Sequence, residues 1–252
     1  MRFVKFFLGF FLAIEIFSRV ELKYQLCDED LNALMPLLGQ YMNSDPYNFG
    51  GKTYSISNIY FDTPQDELAI KSLEKPVYKE KLRLRSYGRV TDPGQTVYLE
   101  IKKKFDGVVY KRRTPFAYKS AVSFLTVSEL PQNENTNWQV LKEIMDLQKR
   151  YELVPRVFIS YERLAFFEKD DSDFRLTLDR NILSRREDLK LDSEVYGKPL
   201  LPEGTWLMEA KAFKSFPLWF AKFLSSRKIY SRSFSKYGTE YNLNRRNKDE
   251  QH

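Results

Sequence analysis

Hydrophobic and polar positions alternate with a period of two through much of this chain, and that alternation predicts β-strands. It is clearest between residues 78 and 113. Lys79, Lys81, Arg83 and Arg85 fall on one face there, and Leu82 and Leu84 on the other. Glu100 and Lys102 then lie opposite Val97, Leu99 and Ile101, and a third segment, 108–113, adds Lys111. Gly88 and Asp92-Pro93-Gly94 are turn material, and Asp106-Gly107 is a strong hairpin signal. Three successive antiparallel strands would therefore carry a cationic stripe tempered only by Glu100. A solvated sheet face usually mixes charge signs, because like charges opposite one another cost stability. Two readings stand: a solvated basic face, or a stripe neutralised by a polyanion.

The same pattern places the other elements. A first strand is expected over 14–26, with Glu21 and Lys23 facing away from Val20, Leu22 and Tyr24. Asp28 would cap a helix reaching 42, in which Leu31, Leu34, Met35 and Leu38 keep helical spacing. Further strands are expected at 54–62, at 157–167 with Tyr161 and Arg163 on one face, and at 174–179 with Arg175, Thr177 and Asp179. A last strand, 206–213, sets Glu209 and Lys211 opposite Trp206, Met208 and Ala210. Helices are expected at 63–72, where Asp62 would cap, and at 119–125, 137–151 and 216–224. Residues 1–13 read as an N-terminal extension: apolar, too short to span a membrane, and without the small-residue site of a cleaved signal. Residues 14–243 read as one domain, and 244–252 as a charged tail, with fraying expected from 242 onward.

Composition narrows the chemistry. At 252 residues the chain can bury a real core, and a formal charge of +7, from 41 basic and 34 acidic residues, favours an anionic partner. Cys27 is the only cysteine and His252 the only histidine, which excludes a disulfide framework, a thiolate metal cluster and histidine catalysis. Gly51-Lys52-Thr53 has the ending of a P-loop, but Pro46 stands where its first glycine belongs. On at least six strands one face is charged and the other apolar. If the charged faces point inward, the fold is α+β: a closed antiparallel β-barrel tunnel with a charged interior and helices packed on the outside. An open sheet with its charges facing water fits the pattern as well.

Glu21-Leu22-Lys23-Tyr24, Ser57-Asn58-Ile59-Tyr60-Phe61-Asp62, the run from Lys81 to Gly88, Tyr98-Leu99-Glu100-Ile101-Lys102 and Ser235-Lys236-Tyr237 occur in that order along the chain. In this the chain resembles the VTC domain, the catalytic domain of the vacuolar transporter chaperone polyphosphate polymerase, within the CYTH-like triphosphate tunnel metalloenzyme superfamily. The resemblance implies that ATP and inorganic polyphosphate are the partners. It makes the γ-phosphate of ATP the group transferred, and Mn²⁺ or Mg²⁺ the cofactor. Arg83, Arg85, Lys102, Arg163 and Lys236 would be catalytic. Lys23, Lys81, Lys111, Tyr161, Arg175, Lys211 and Ser235 would bind substrate, and Glu209 would hold the metal. Hydrolysis of tripolyphosphate or nucleoside triphosphate, and non-catalytic polyphosphate binding, are the alternatives. Nucleic acid is not expected, since few exposed aromatics suited to base stacking accompany the cations. Arg19 stands where the superfamily often has a first metal-binding glutamate, and Ser233 where the eukaryotic polymerases carry a lysine. The expected location is cytoplasmic, with membrane association left open and a separate membrane partner serving any export.

Overall fold

A computed structural model describes residues 19–48, 51–130, 136–169, 173–213 and 215–249. The expected extension 1–13, and residues 14–18 of the expected first strand, lie outside them.

Where side chains alternate, strands form. In chain order the elements are β1 (Arg19–Cys27), α1 (Asp28–Tyr41), β2 (Met42–Ser44), β3 (Tyr54–Asp62), α2 (Glu67–Leu73), β4 (Tyr78–Tyr87), β5 (Thr96–Phe105) and β6 (Val108–Ala117). Then follow α3 (Tyr118–Val127), α4 (Trp138–Arg150), β7 (Val154–Glu168), β8 (Arg175–Arg185), β9 (Lys198–Pro199), β10 (Thr205–Phe213), α5 (Leu218–Ser226) and α6 (Lys236–Asp249). Asp106 and Gly107 turn β5 into β6 with φ values of 42° and 81°, the positive-φ pair that a two-residue hairpin requires. The helix expected at 137–151 forms over Trp138–Arg150, and Asn137 caps it, its side chain accepting from the backbone N–H groups of Gln139 and Val140. The cap of α1 differs from expectation. Cys27 occupies the cap position, Asp30 reaches back to its N–H, and Asp28 instead accepts from the Trp206 indole at 2.8 Å.

All strands join one antiparallel sheet in the order β1-β10-β8-β7-β3-β4-β5-β6, with β2 on β7 and β9 on β8. The fold is thus α+β and antiparallel, but the sheet does not close into a barrel. Among the described residues its edges, β1 and β6, do not pair with each other. It is nevertheless curled: Lys23 on β1 and Lys81 on β4, at separate places in the strand order, both reach the short segment before α6, donating to the Phe234 carbonyl at 2.9 Å and to Ser235 Oγ at 3.3 Å.

The convex side is apolar and covered by helices. Leu82, Leu84, Leu99, Ile101 and Phe158 pack against α3 and α4, while Tyr24, Leu26, Leu178 and Met208 pack against α1 and α5. The sixth helix departs from the expected pattern of helices outside. Residues 242–249, expected to fray, are helical and continue α6 through Asp249, and α6 sits on the concave side. Tyr237 stacks on Tyr60, 5.1 Å between centroids, within a third core that includes Ile56, Ile159, Tyr161 and Leu207. Among the described residues, no helix is long and apolar enough to cross a membrane.

Candidate functional site

Because alternate residues of each strand face inward, the concave side collects the polar set of β1, β4, β5, β6, β7, β8 and β10. Glu100 is the hub of one half. Its Oε2 accepts from Arg83 Nε at 2.6 Å and lies 2.5 Å from Arg83 Nη2, while Oε1 is 3.2 Å from Lys111 Nζ and 3.8 Å from Arg85. Burial works to raise the pKa of Glu100, but Arg83, Arg85 and Lys111 more than offset it and hold the carboxyl at about 2. Arg83 also donates to the Tyr60 hydroxyl at 3.1 Å. Arg85 donates to Asn58 Oδ1 and to the Tyr161 hydroxyl, both at 2.9 Å.

Asp179 is the hub of the other half. Arg163 grips it through Nε and Nη2 at 2.6 and 2.9 Å, and Lys236, at the start of α6, reaches it at 2.6 Å. Burial opposes the charge on Asp179, yet Arg163 and Lys236 keep its carboxyl well below the usual carboxylate range. Both cations also lie against the Tyr161 ring, 5.1 and 4.3 Å from its centroid.

A third group closes the circle. Glu209 pairs with Lys211 and, at 3.7 Å, with Lys23; Glu21 lies 3.7 Å from Lys211. The loop before α6 spans the opening, since Lys23 donates to the Phe234 carbonyl at 2.9 Å and Lys81 to Ser235 Oγ at 3.3 Å. Four carboxylates are thus outnumbered by the cations around them. The surplus shows in the lysines. Burial first, then neighbouring cations, depress Lys81 and Lys111 to about 8, partly countered by Tyr60 and Glu100 respectively. Lys102 is lowered mainly by burial, and it makes no hydrogen bond or ion pair among the described residues.

Every residue singled out in the sequence lies on this concave face or at its rim. Arg175, exposed at the outer end of β8, is the most peripheral and faces Lys211 in the register. The sequence reading gives Asn58, Tyr60 and Arg113 no site role, and it puts Asp179 on a polar face without one. Tyr60 and Asn58 could have been found from the inward parity they share with Ile56 on β3. Asp62 does cap, though not a helix starting at Pro64: it accepts from Leu68 and Ala69 N–H at 2.8 and 2.9 Å, and α2 begins at Glu67.

A metal fits here only in company. Among the described residues no group of three or more His, Cys, Asp or Glu side chains could hold a metal ion. Glu209 nonetheless offers an ionised carboxylate, held at about 2 by Lys211 and Lys23 against the opposing effect of burial. The buried Thr177 hydroxyl, opposite Glu209 on β8, has no hydrogen-bond partner among the described residues. One or two carboxylates completed by phosphate oxygens and water is how Mg²⁺ is commonly held beside phosphates.

The VTC domain matches residues 18–244. No curated protein matches the chain significantly by sequence. Among solved structures, a Bacillus halodurans protein described as a candidate adenylate cyclase superposes with a TM-score of 0.52 at 16% identity, covering 86% of this chain and 93% of its own. A Vibrio parahaemolyticus protein of the same description gives 0.41 at 13% identity, covering 87% and 96%. A Pyrococcus horikoshii protein gives 0.42 at 12% identity, covering 89% and 98%. The first of these likenesses supports the fold alone.

Proposed function

Because the chain belongs to the VTC domain family, which ties it to polyphosphate- or triphosphate-related phosphotransfer, we propose that it is a polyphosphate polymerase. In this reading a terminal oxygen of a polyphosphate chain attacks the γ-phosphorus of ATP. The bond from that phosphorus to the β,γ-bridging oxygen breaks, and ADP leaves with the bond's electron pair. Phosphoryl transfer of this kind needs alignment and charge neutralisation rather than a nucleophilic side chain, and a chain with one cysteine and one terminal histidine offers just those means.

The observation that carries the reading is the arrangement of guanidinium and ammonium groups around Glu100 and Asp179. Each hub ties down its cations through ion pairs, so their remaining N–H donors are set before a ligand arrives, and preorganised donors are what stabilises developing charge. Arg83 and Arg85 would grip phosphate oxygens with their planar forks; Lys102, Lys81 and Lys111 would add point charges. Arg163 and Lys236 would take the phosphates on the opposite side, with the Tyr161 and Ser235 hydroxyls beside them. Lys23, Lys211 and Arg175 would meet the polymer towards the β1–β10–β8 rim. Glu209, with Glu21 near it, would hold Mn²⁺ or Mg²⁺, which would supply further charge neutralisation to the phosphates.

Incubation of the purified protein with ATP and Mn²⁺ tests this. Polymer and ADP should accumulate together, with free orthophosphate well below the ADP. Orthophosphate equal to ADP would make the protein a hydrolase; binding without turnover would leave it a polyphosphate binder.

A further inference from the structure

Four tyrosines from separate segments meet at the end of the cleft next to Arg85. Tyr54 opens β3, Tyr87 closes β4, Tyr98 lies near the start of β5, and Tyr47 belongs to the turn before β3. Tyr47 stacks on Tyr87, with centroids 5.9 Å apart and ring planes within 11°. Tyr54 tilts against both at 5.8 and 6.2 Å, and Tyr98 meets Tyr87 edge-on at 5.8 Å.

The register ties this wall to the cations. Tyr98 faces Arg85 across β4 and β5, and Tyr54 faces Arg163 across β3 and β7. The Arg113 guanidinium sits 4.8 Å over the Tyr98 ring. Burial pushes the Tyr54 hydroxyl up to about 12, opposed by the charge of Arg163, so the ring stands at the edge of the cation field. A purely structural cluster would bury its rings, as the core does with Tyr60, Tyr161 and Tyr237. Here Tyr47 remains 67% exposed, and the other three are only partly buried. The stack ends on an open aromatic face.

We propose that this wall is the nucleobase subsite of the cleft: the base of a nucleoside triphosphate extends the stack on Tyr47, while its phosphates run onto Arg85, Arg113 and Arg163. The inference rests on the triphosphate reading above. Tyr87, the inner ring of the stack, is two strand positions from Arg85, about 7 Å, and Tyr47 lies 5.9 Å beyond it, so a base on Tyr47 points its ribose and extended triphosphate back along the wall towards the cations. Stacking selects for a flat ring rather than for one base, because every base has a π-face. Adenine and guanine nucleotides are therefore received alike, whereas a bare triphosphate engages the cations only. This also separates donor from acceptor: a base docked at the wall places one triphosphate end-on, and the rest of the cleft is left for polymer.

The test is the binding of ATP, GTP and tripolyphosphate to the full chain by calorimetry, for wild type, Tyr47→Ala and Tyr47→Trp. Tyr47 is exposed, so neither change threatens the fold. Tyr47→Ala should weaken ATP and GTP by about tenfold and leave tripolyphosphate within twofold, and Tyr47→Trp should restore nucleotide affinity. Equal losses for ATP and tripolyphosphate, or none for ATP, would overturn the subsite while leaving the triphosphate reading intact. Wild-type protein that binds neither ligand would overturn both.

Discussion

Lys81 and Lys111 illustrate how a single residue records what the cleft is for. An ordinary lysine keeps its proton to about 10.5, yet burial among other cations brings these two down to about 8. Between those values the unfolded chain binds more protons than the folded one, so the ligand-free protein should gain stability as pH rises through that window. A bound polyanion reverses the preference by favouring the charged ammonium. Tripolyphosphate should accordingly bind with proton uptake near pH 8 and lose affinity above it, relative to a Lys81→Arg/Lys111→Arg variant whose guanidinium groups stay charged. Calorimetry in buffers of different ionisation enthalpy reads this directly; identical pH profiles for wild type and variant would show that neither lysine meets the ligand. At this scale the sequence was informative wherever period two applied. Arg83, Arg85 and Lys102 face inward as the alternation requires. Lys103 faces out, pairing with Glu143 at 2.8 Å against α4. What alternation cannot reveal is who pairs with whom. Asp179 meets Lys236 across 57 residues of chain, and no local pattern encodes that contact.

The elements were legible where patterning and punctuation agreed, as in the β4–β5–β6 meander with its Asp106-Gly107 turn. They were misread where a strand continues through an irregularity. β8 runs on to Arg185 past Asn181, whose positive φ of 49° accompanies a register shift against β7. The sharpest departure is α6, whose charged sequence reads as a tail because its anchoring residues are polar. Arg186 holds Glu240 through both nitrogens at 2.8 and 2.9 Å, and the Tyr237 hydroxyl donates to the buried Asp62 at 2.6 Å. Asp62 thereby joins β3, α2 and α6, and α6 in turn presents Lys236 to the cleft. Tyr237→Phe keeps the ring and removes only that hydrogen bond to a charged acceptor, so it should cost about 2 kcal/mol in urea unfolding. An unchanged unfolding midpoint would mean that α6 is held by packing and by Arg186 alone.

For the whole molecule, charge parity decided the architecture and closure was overestimated. Like-signed inward faces do specify a curved sheet with an apolar, helix-covered back. They do not specify that the two sheet edges, β1 and β6, find each other, because alternation within a strand says which residues share a face and not which strand lies beside it. The chain ends up as a basic cleft braced by Glu100 and Asp179, with α6 on its concave face and a tyrosine wall at one end. Such a cleft stores repulsion that a matching polyanion relieves. A ligand binding only the folded state adds about 4 kcal/mol at a thousandfold excess over its dissociation constant, which for a domain of this size raises the melting temperature by on the order of 10 °C. One linked triphosphate engages several cations for a single loss of translational freedom. The most direct test is therefore thermal unfolding with tripolyphosphate against the same phosphate concentration supplied as orthophosphate. Tripolyphosphate should raise the melting temperature by several degrees and orthophosphate by much less; equal shifts would contradict a cleft built to bind linked phosphates.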